Sequence, residues 1–229
     1  MKSIEEIINK VHNSDCLEFL KEIPDNSVDL VLTDPPYGMG YQSGHRTNKH
    51  DCIEGDKDLS WFPCFIKETY RVLKDNSHCY LFCNDYCISL FRNESEKVGF
   101  NAKRTLVWVK NNHTSGDLYG DYANKTEFIV FLQKGRRLLN GKRESNVLYY
   151  DRDNTDIHPT KKPESIMSYL ISKSTNENDI VCDPYLGGGT TVMACKALNR
   201  RYIGIEISSK YCDIVNRIVS EYDRQLKIF

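Results

Sequence analysis

The chain has 229 residues, with 31 Lys+Arg against 32 Asp+Glu, 40% hydrophobic and 11% aromatic residues. That length suits one large domain, the apolar content suffices for a core and excludes disorder, and a net charge of −1 excludes a globally basic footprint for nucleic acid. No apolar run approaches the roughly 18 residues of a membrane span, Met1-Lys2-Ser3-Ile4-Glu5-Glu6 does not read as a signal peptide, and nine cysteines without framework spacing read as the reduced thiols of a cytoplasmic protein.

In chain order, Val28–Leu32 is a short strand pattern stopped by Asp34-Pro35-Pro36. Trp61–Leu73 carries apolar residues at helical spacing (Phe62, Phe65, Ile66, Thr69, Val72, Leu73). His78–Cys83 is strand-like, and a helix is expected over Asp85–Val98. Arg104–Val109 and Glu127–Leu132 are β-rich runs. A helix is expected over Pro163–Lys173, with proline suited to a first position. Then follow the strand Ile180–Cys182, a glycine turn, a helix over Thr190–Leu198, the strand Tyr202–Ile205 and a last helix from Ser209. Strands alternating with helices imply an α/β domain, a mainly parallel sheet covered on both faces. Residues 39–59, 111–125 and 135–157 lack a clear period and read as functional loops within a single domain over 1–229.

Asp183-Pro184-Tyr185-Leu186-Gly187-Gly188-Gly189-Thr190-Thr191 is a strand end, a glycine turn and a helix start. Glycines let a backbone approach a ligand, and a helix N-terminus favours a carboxylate. Neither a dinucleotide fingerprint nor a P-loop fits, because Val192 takes the third glycine position and no Gly-Lys-Ser/Thr closes the turn. Glu206 ends the next strand, 19 residues after Gly187, where an acid can accept from both ribose hydroxyls. Asp183 adds a carboxylate for an amino group. A nucleoside without phosphates but with an amino acid tail matches this set, and S-adenosylmethionine is such a molecule.

Thr33-Asp34-Pro35-Pro36-Tyr37-Gly38 follows a strand at the carboxyl edge, where open α/β sheets bind ligands. An exocyclic amine is a poor nucleophile because its lone pair is delocalised into the ring. A carboxylate (Asp34) and a carbonyl (Pro35) accepting its two N–H bonds would localise that pair. Pro36 helps fix the turn and donates no competing N–H. Tyr37 offers a ring to stack on a base extruded from a duplex. A plain proline turn with a packed tyrosine explains the tetrapeptide alone equally well. Paired with the glycine turn, the catalytic reading prevails.

With His158-Pro159-Thr160-Lys161-Lys162-Pro163, these two motifs make the chain resemble the DNA amino-methyltransferases, in the β group whose catalytic tetrapeptide precedes the cofactor turn. The resemblance covers Val11–Leu32, Trp61–Asn112 and Thr126–Ile218. It implies a circularly permuted methyltransferase fold, a Rossmann-like seven-stranded sheet with one antiparallel strand. It further implies catalysis by Asp34, Pro35, Pro36 and Tyr37. For S-adenosylmethionine it implies Asp183, Pro184, Gly187 and Gly189 at the methionine end, Thr160, Lys162, Thr190 and Thr191 toward the carboxylate, and Glu206 on the ribose. Asp15 and Cys16 would adjoin the adenine, although Ser14-Asp15 is also an ordinary helix cap. The family usually has phenylalanine where Tyr185 stands and commonly serine in place of Gly188. Its cytosine-N4 members often carry serine at the place of Asp34, so adenine N6 of duplex DNA is the expected target, with cytosine N4 or a silent DNA-binding regulator as alternatives. A homodimer is compatible with this reading.

Cys79, Cys83 and Cys87 are expected to be core residues rather than a metal or cluster site, because i and i+4 share one face of a strand. DNA contacts would fall to local basic clusters, Lys134-Gly135-Arg136-Arg137 with Lys142 and Arg143, or Arg46, Lys49 and His50, and to Asn111, Asn112 and the 117–122 loop. Trp108 reads as core.

Overall fold

The computed structural model describes residues 2–36, 59–113, 119–152 and 162–226. Ile4–Ile7 form a short helix α1, followed by β1 (Lys10–Asn13) and α2 (Cys16–Leu20). Asp15 caps α2, its carboxylate accepting from the Glu18 amide at 3.1 Å. In β2 (Val28–Thr33) all six residues are buried. Its one charged residue, Asp29, is neutralised at the strand's amino end by Lys74 at 2.8 Å and accepts from the Ile180 amide at 2.9 Å.

The helix α3 (Phe62–Val72) buries the residues its spacing predicts, Phe62, Phe65, Ile66, Thr69 and Val72. It passes into β3 (Leu73–Cys83) with no loop between them. That strand starts five residues before the sequence pattern does, because its polar opening Lys74-Asp75-Asn76 carries no alternation. The next helix, α4 (Ile88–Lys97), begins later than expected: the Asn84 side chain accepts from the Cys87 amide at 3.0 Å and holds residues 84–87 in a turn. Four strands follow, β4 (Asn101–Ala102), β5 (Leu106–Val109), β6 (Thr126–Lys134) and β7 (Val147–Tyr149). The last part comprises α5 (Glu164–Ser174), β8 (Ile180–Asp183), α6 (Thr190–Ala197), β9 (Arg201–Glu206) and α7 (Ser209–Leu226).

The strands form one sheet in the order β1-β9-β8-β2-β3-β6-β5-β7, with β4 on β6. Only β6 runs against the others, since its pairings with β3, β4 and β5 are antiparallel and the remaining ones are parallel. The expected seven strands are therefore joined by two short ones. β7 lies inside 135–157, which the sequence reads as a loop. Three residues are too few for a period to show, and pairing with β5 makes the strand.

Alternation along β2 sends Val31 to one face and Leu30 and Leu32 to the other. Helices α2, α3 and α4 cover the first face with Phe19, Leu20, Phe62, Phe65 and Phe91. Helices α5, α6 and α7 cover the second with Ile166, Leu170, Val192 and Val215. Cys79, Cys83 and Cys87 are buried in the first core. Trp108 is buried in the second, its indole N–H donating to the Tyr150 carbonyl at 2.7 Å.

Candidate active site

Neighbouring parallel strands end at the same edge, so the sheet order gathers four acids separated in sequence. Asp15 follows β1, Glu206 closes β9, Asp183 closes β8 and Asp34 follows β2. The two strands are parallel, but their connections leave in opposite directions, β2 on to β3 and β8 on to β9, which makes this a topological switch point, the usual ligand crevice of an open α/β sheet.

A buried hydroxyl joins the two motifs. Thr33 donates to Asp183 Oδ1 at 2.6 Å, Thr191 donates to Asp183 Oδ2, and the Tyr185 amide donates to Asp183 Oδ1 at 3.2 Å. Burial pushes the Asp183 carboxyl up to about 6 despite these bonds. The sequence offered Asp183 to a cofactor amino group and Thr191 to its carboxylate. In the structure they hold each other, and a hydroxyl has one proton to give. Thr190 is buried beside them, as are Pro184 and Pro35.

The glycine turn folds over β9. The Leu186 amide donates to the Ile205 carbonyl at 2.9 Å, and the Gly187 amide to Glu206 Oε2 at 2.8 Å. The other Glu206 oxygen accepts from the Ser208 amide at 2.8 Å. Gly189 sits at φ 80°, and a Cβ there would meet Val215 of α7 at 2.7 Å. This glycine is required by helix packing as well as by the turn. Tyr185, at the position of the family's phenylalanine, packs against Trp61 and Phe65 with ring centroids 5.5 Å away in each case. Its hydroxyl lies beside Cys16, whose thiol burial pushes up to about 12, so Cys16 is a neutral contact.

Asp34 is the unusual group. Its Oδ2 is held by the Lys162 ammonium, whereas Oδ1 is buried and has no hydrogen-bond partner among the described residues. Burial pushes its carboxyl up to about 6 even against Lys162. Lys162 also lies 3.2 Å from Glu127 Oε2, and Glu127 Oε1 lies 2.6 Å from Lys110. Burial alone would pull Lys162 down, but Asp34 and Glu127 outweigh it and hold the ammonium charged. Lys162 thus reaches the tetrapeptide rather than a separate carboxylate pocket. The sequence marks Lys110 only as part of the Trp108–Asn112 segment at a strand end, and gives neither Glu127 nor Lys110 a role beside Asp34. Their one signal, charged residues at the ends of apolar β runs, is too common to single them out.

Tyr37, Thr160 and the Arg46, Lys49, His50 cluster lie outside the described residues. In the other basic cluster, Lys134 ends the reversed strand β6, at the edge away from Asp34. There it is buried, donating to the Leu73 and Tyr70 carbonyls at 2.7 and 3.0 Å. The described ends of the connection between β5 and β6, residues 110–113 and 119–125, instead lie at the acidic edge, with Tyr119 and Tyr122 exposed.

The N6/N4 methyltransferase family model, described as DNA methylase, matches residues 28–217. The type II methyltransferase M.HpaI of Haemophilus parainfluenzae is 32% identical over 235 residues, covering 92% of this chain and 74% of that protein. The crystal structure of an M1.HpyAVI–SAM complex superposes with a TM-score of 0.71 at 30% identity, covering 91% of this chain and 98% of that one. The cytosine-N4-specific PvuII DNA methyltransferase shares the fold at a TM-score of 0.75 and 17% identity, covering 90% and 84% of the two chains. With two thirds or more of each relative covered and most of its own length matched, the chain belongs to the N6/N4 family of DNA methylases.

Proposed function

We propose that this protein transfers a methyl group from S-adenosylmethionine to the N6 amine of adenine in duplex DNA. The observation that carries the reading is Asp34 at the switch point, with one oxygen fixed by Lys162 and the other buried without a partner. An amine N–H is a fitting donor for that oxygen, because a buried unpaired carboxylate oxygen is costly. The neighbouring edge fits the cofactor's chemistry. Glu206 stands at the end of β9 for ribose hydroxyls, and the Gly187–Gly189 backbone turns above it. Asp15 and Cys16 open α2 beside it.

When bound, S-adenosylmethionine supplies the methyl as an electrophile. This chain's part is to draw the amine's N–H bonds onto Asp34 Oδ1 and the Pro35 carbonyl, which returns the lone pair to nitrogen. In a duplex that atom is reached by extruding the base, and Tyr37 is assigned the stacking role. Aspartate at position 34, rather than serine, supports adenine over cytosine.

The test is base-modification sequencing of DNA from a host expressing the chain or its Asp34→Ala variant. N6-methyladenine at one motif is expected from the first. The variant should lose at least about 10- to 150-fold, the equivalent of roughly 1.5–3 kcal/mol for a hydrogen bond to a charged group. Methyl on cytosine N4 would replace the target, and unmodified DNA would favour the silent regulator.

A further inference from the structure

The charged groups behind Asp34 come from three separate parts of the chain. Lys162 precedes α5, Glu127 opens β6 and Lys110 follows β5. They meet because β6 is reversed, so that its first residues stand at the edge where β2 and β5 finish. The contacts run in one line: Asp34 Oδ2 to Lys162, Lys162 to Glu127 Oε2 at 3.2 Å, and Glu127 Oε1 to Lys110 at 2.6 Å. Both lysine side chains are only 8% exposed, and their ammonium groups lie 5.2 Å from the Phe82 ring centroid and 5.4 Å from that of Trp108.

Resting on the reading of Asp34 as the amine acceptor, we propose that Lys162 is a positioning residue for Asp34, itself held by Glu127 and Lys110. Two acids and two bases leave the line with no net charge, so its contribution is orientation and local field. Lys162 occupies Oδ2 and so leaves Oδ1 as the oxygen that meets the amine. Without that ammonium a buried carboxyl is pushed further toward its protonated form, which offers no charged oxygen to accept the amine's N–H. Glu127 prevents Lys162 from turning to water or to another acid. Its own charge is balanced in turn by Lys110, and these two bases hold its carboxyl below the usual range although burial opposes them. The groups facing Asp34 are Lys162, Glu127 and Lys110, together with Asp183 on β8 and Cys83 at the end of β3.

The experiment measures kcat against pH on unmodified plasmid DNA bearing the target motif, for the wild type and for Lys162→Met, Lys162→Arg, Glu127→Gln and Asp34→Asn. Binding of S-adenosylmethionine and thermal melting are measured beside it. Lys162→Met should lose at least tenfold at neutral pH and move the acid limb up by one pH unit or more, with activity partly returning at higher pH and cofactor affinity within about twofold. Lys162→Arg should restore most of the rate. Glu127→Gln removes a negative charge near Asp34, so its limb should move down while kcat falls. A merely structural role would not drive two folded variants in opposite directions. An acid limb left in place in Lys162→Met, or a large loss of cofactor affinity with an unmoved limb, overturns the proposal. If Lys162→Met fails to fold, an unmoved or upward limb in Glu127→Gln overturns it equally. Asp34→Asn keeping full activity would instead defeat the underlying reading, and these results are read separately.

Discussion

Asp34 and Asp183 are both carboxyls that burial pushes to about 6, from an ordinary 3.8. Their folded value lies above the unfolded one, so the stability they contribute is complete below about 3.8 and is lost as pH rises through about 6. Activity runs the other way, because Asp34 must be ionised to accept from an amine. The acid limb of kcat/KM, which reports the free enzyme, should therefore have its midpoint near 6. Asp183→Asn separates the two groups: a limb that persists in this variant belongs to Asp34, and one that vanishes belongs to Asp183. Glu206 serves two masters, holding the Gly187 and Ser208 amides and facing the ribose site. Glu206→Ala should weaken S-adenosylmethionine binding by roughly 1.5–3 kcal/mol. Calorimetry showing unchanged affinity would remove it from the site.

At the level of elements, the turn from β8 into α6 is where local chemistry and packing depend on the same atom. Gly189 caps α6 in the left-handed region, and Val215 of α7 fills the space its missing side chain leaves. Gly189→Ala should cost roughly 2–4 kcal/mol, part backbone strain and part overpacking. Removing the overlap with Val215→Ala should recover the packing part only. A denaturant double-mutant cycle measures this, and equal costs in both backgrounds would deny the contact. The glycines themselves were legible in the sequence, as was the acid 19 residues after Gly187. Their reason was only half legible, since proximity of α7 is a fact of packing. Similarly, α3 was readable because its five buried residues follow helical spacing, whereas β7 was not, because three residues have no measurable period.

Across the whole molecule, cysteine placement reports how the core is closed. Seven of the eight described thiols are buried and unbridged, and Cys64 alone is exposed. A thiol reagent should label Cys64 quickly in the native protein and the seven buried thiols only in denaturant. Rapid native labelling of Cys79 or Cys182 would contradict the closed core. No helix among the described residues is long and apolar enough to cross a membrane. By itself the sequence determined the α/β class, the permuted motif order and the acids at the strand ends, because each is written in contiguous residues as a period, a turn or a spacing. Tertiary structure alone decided that Lys162 meets Asp34 across 128 positions, that Glu127 and Lys110 stand behind it, and that Lys134 belongs to the far edge. Strand order and the reversal of β6 set those pairings, and a charge carries no local mark of the partner that will neutralise it.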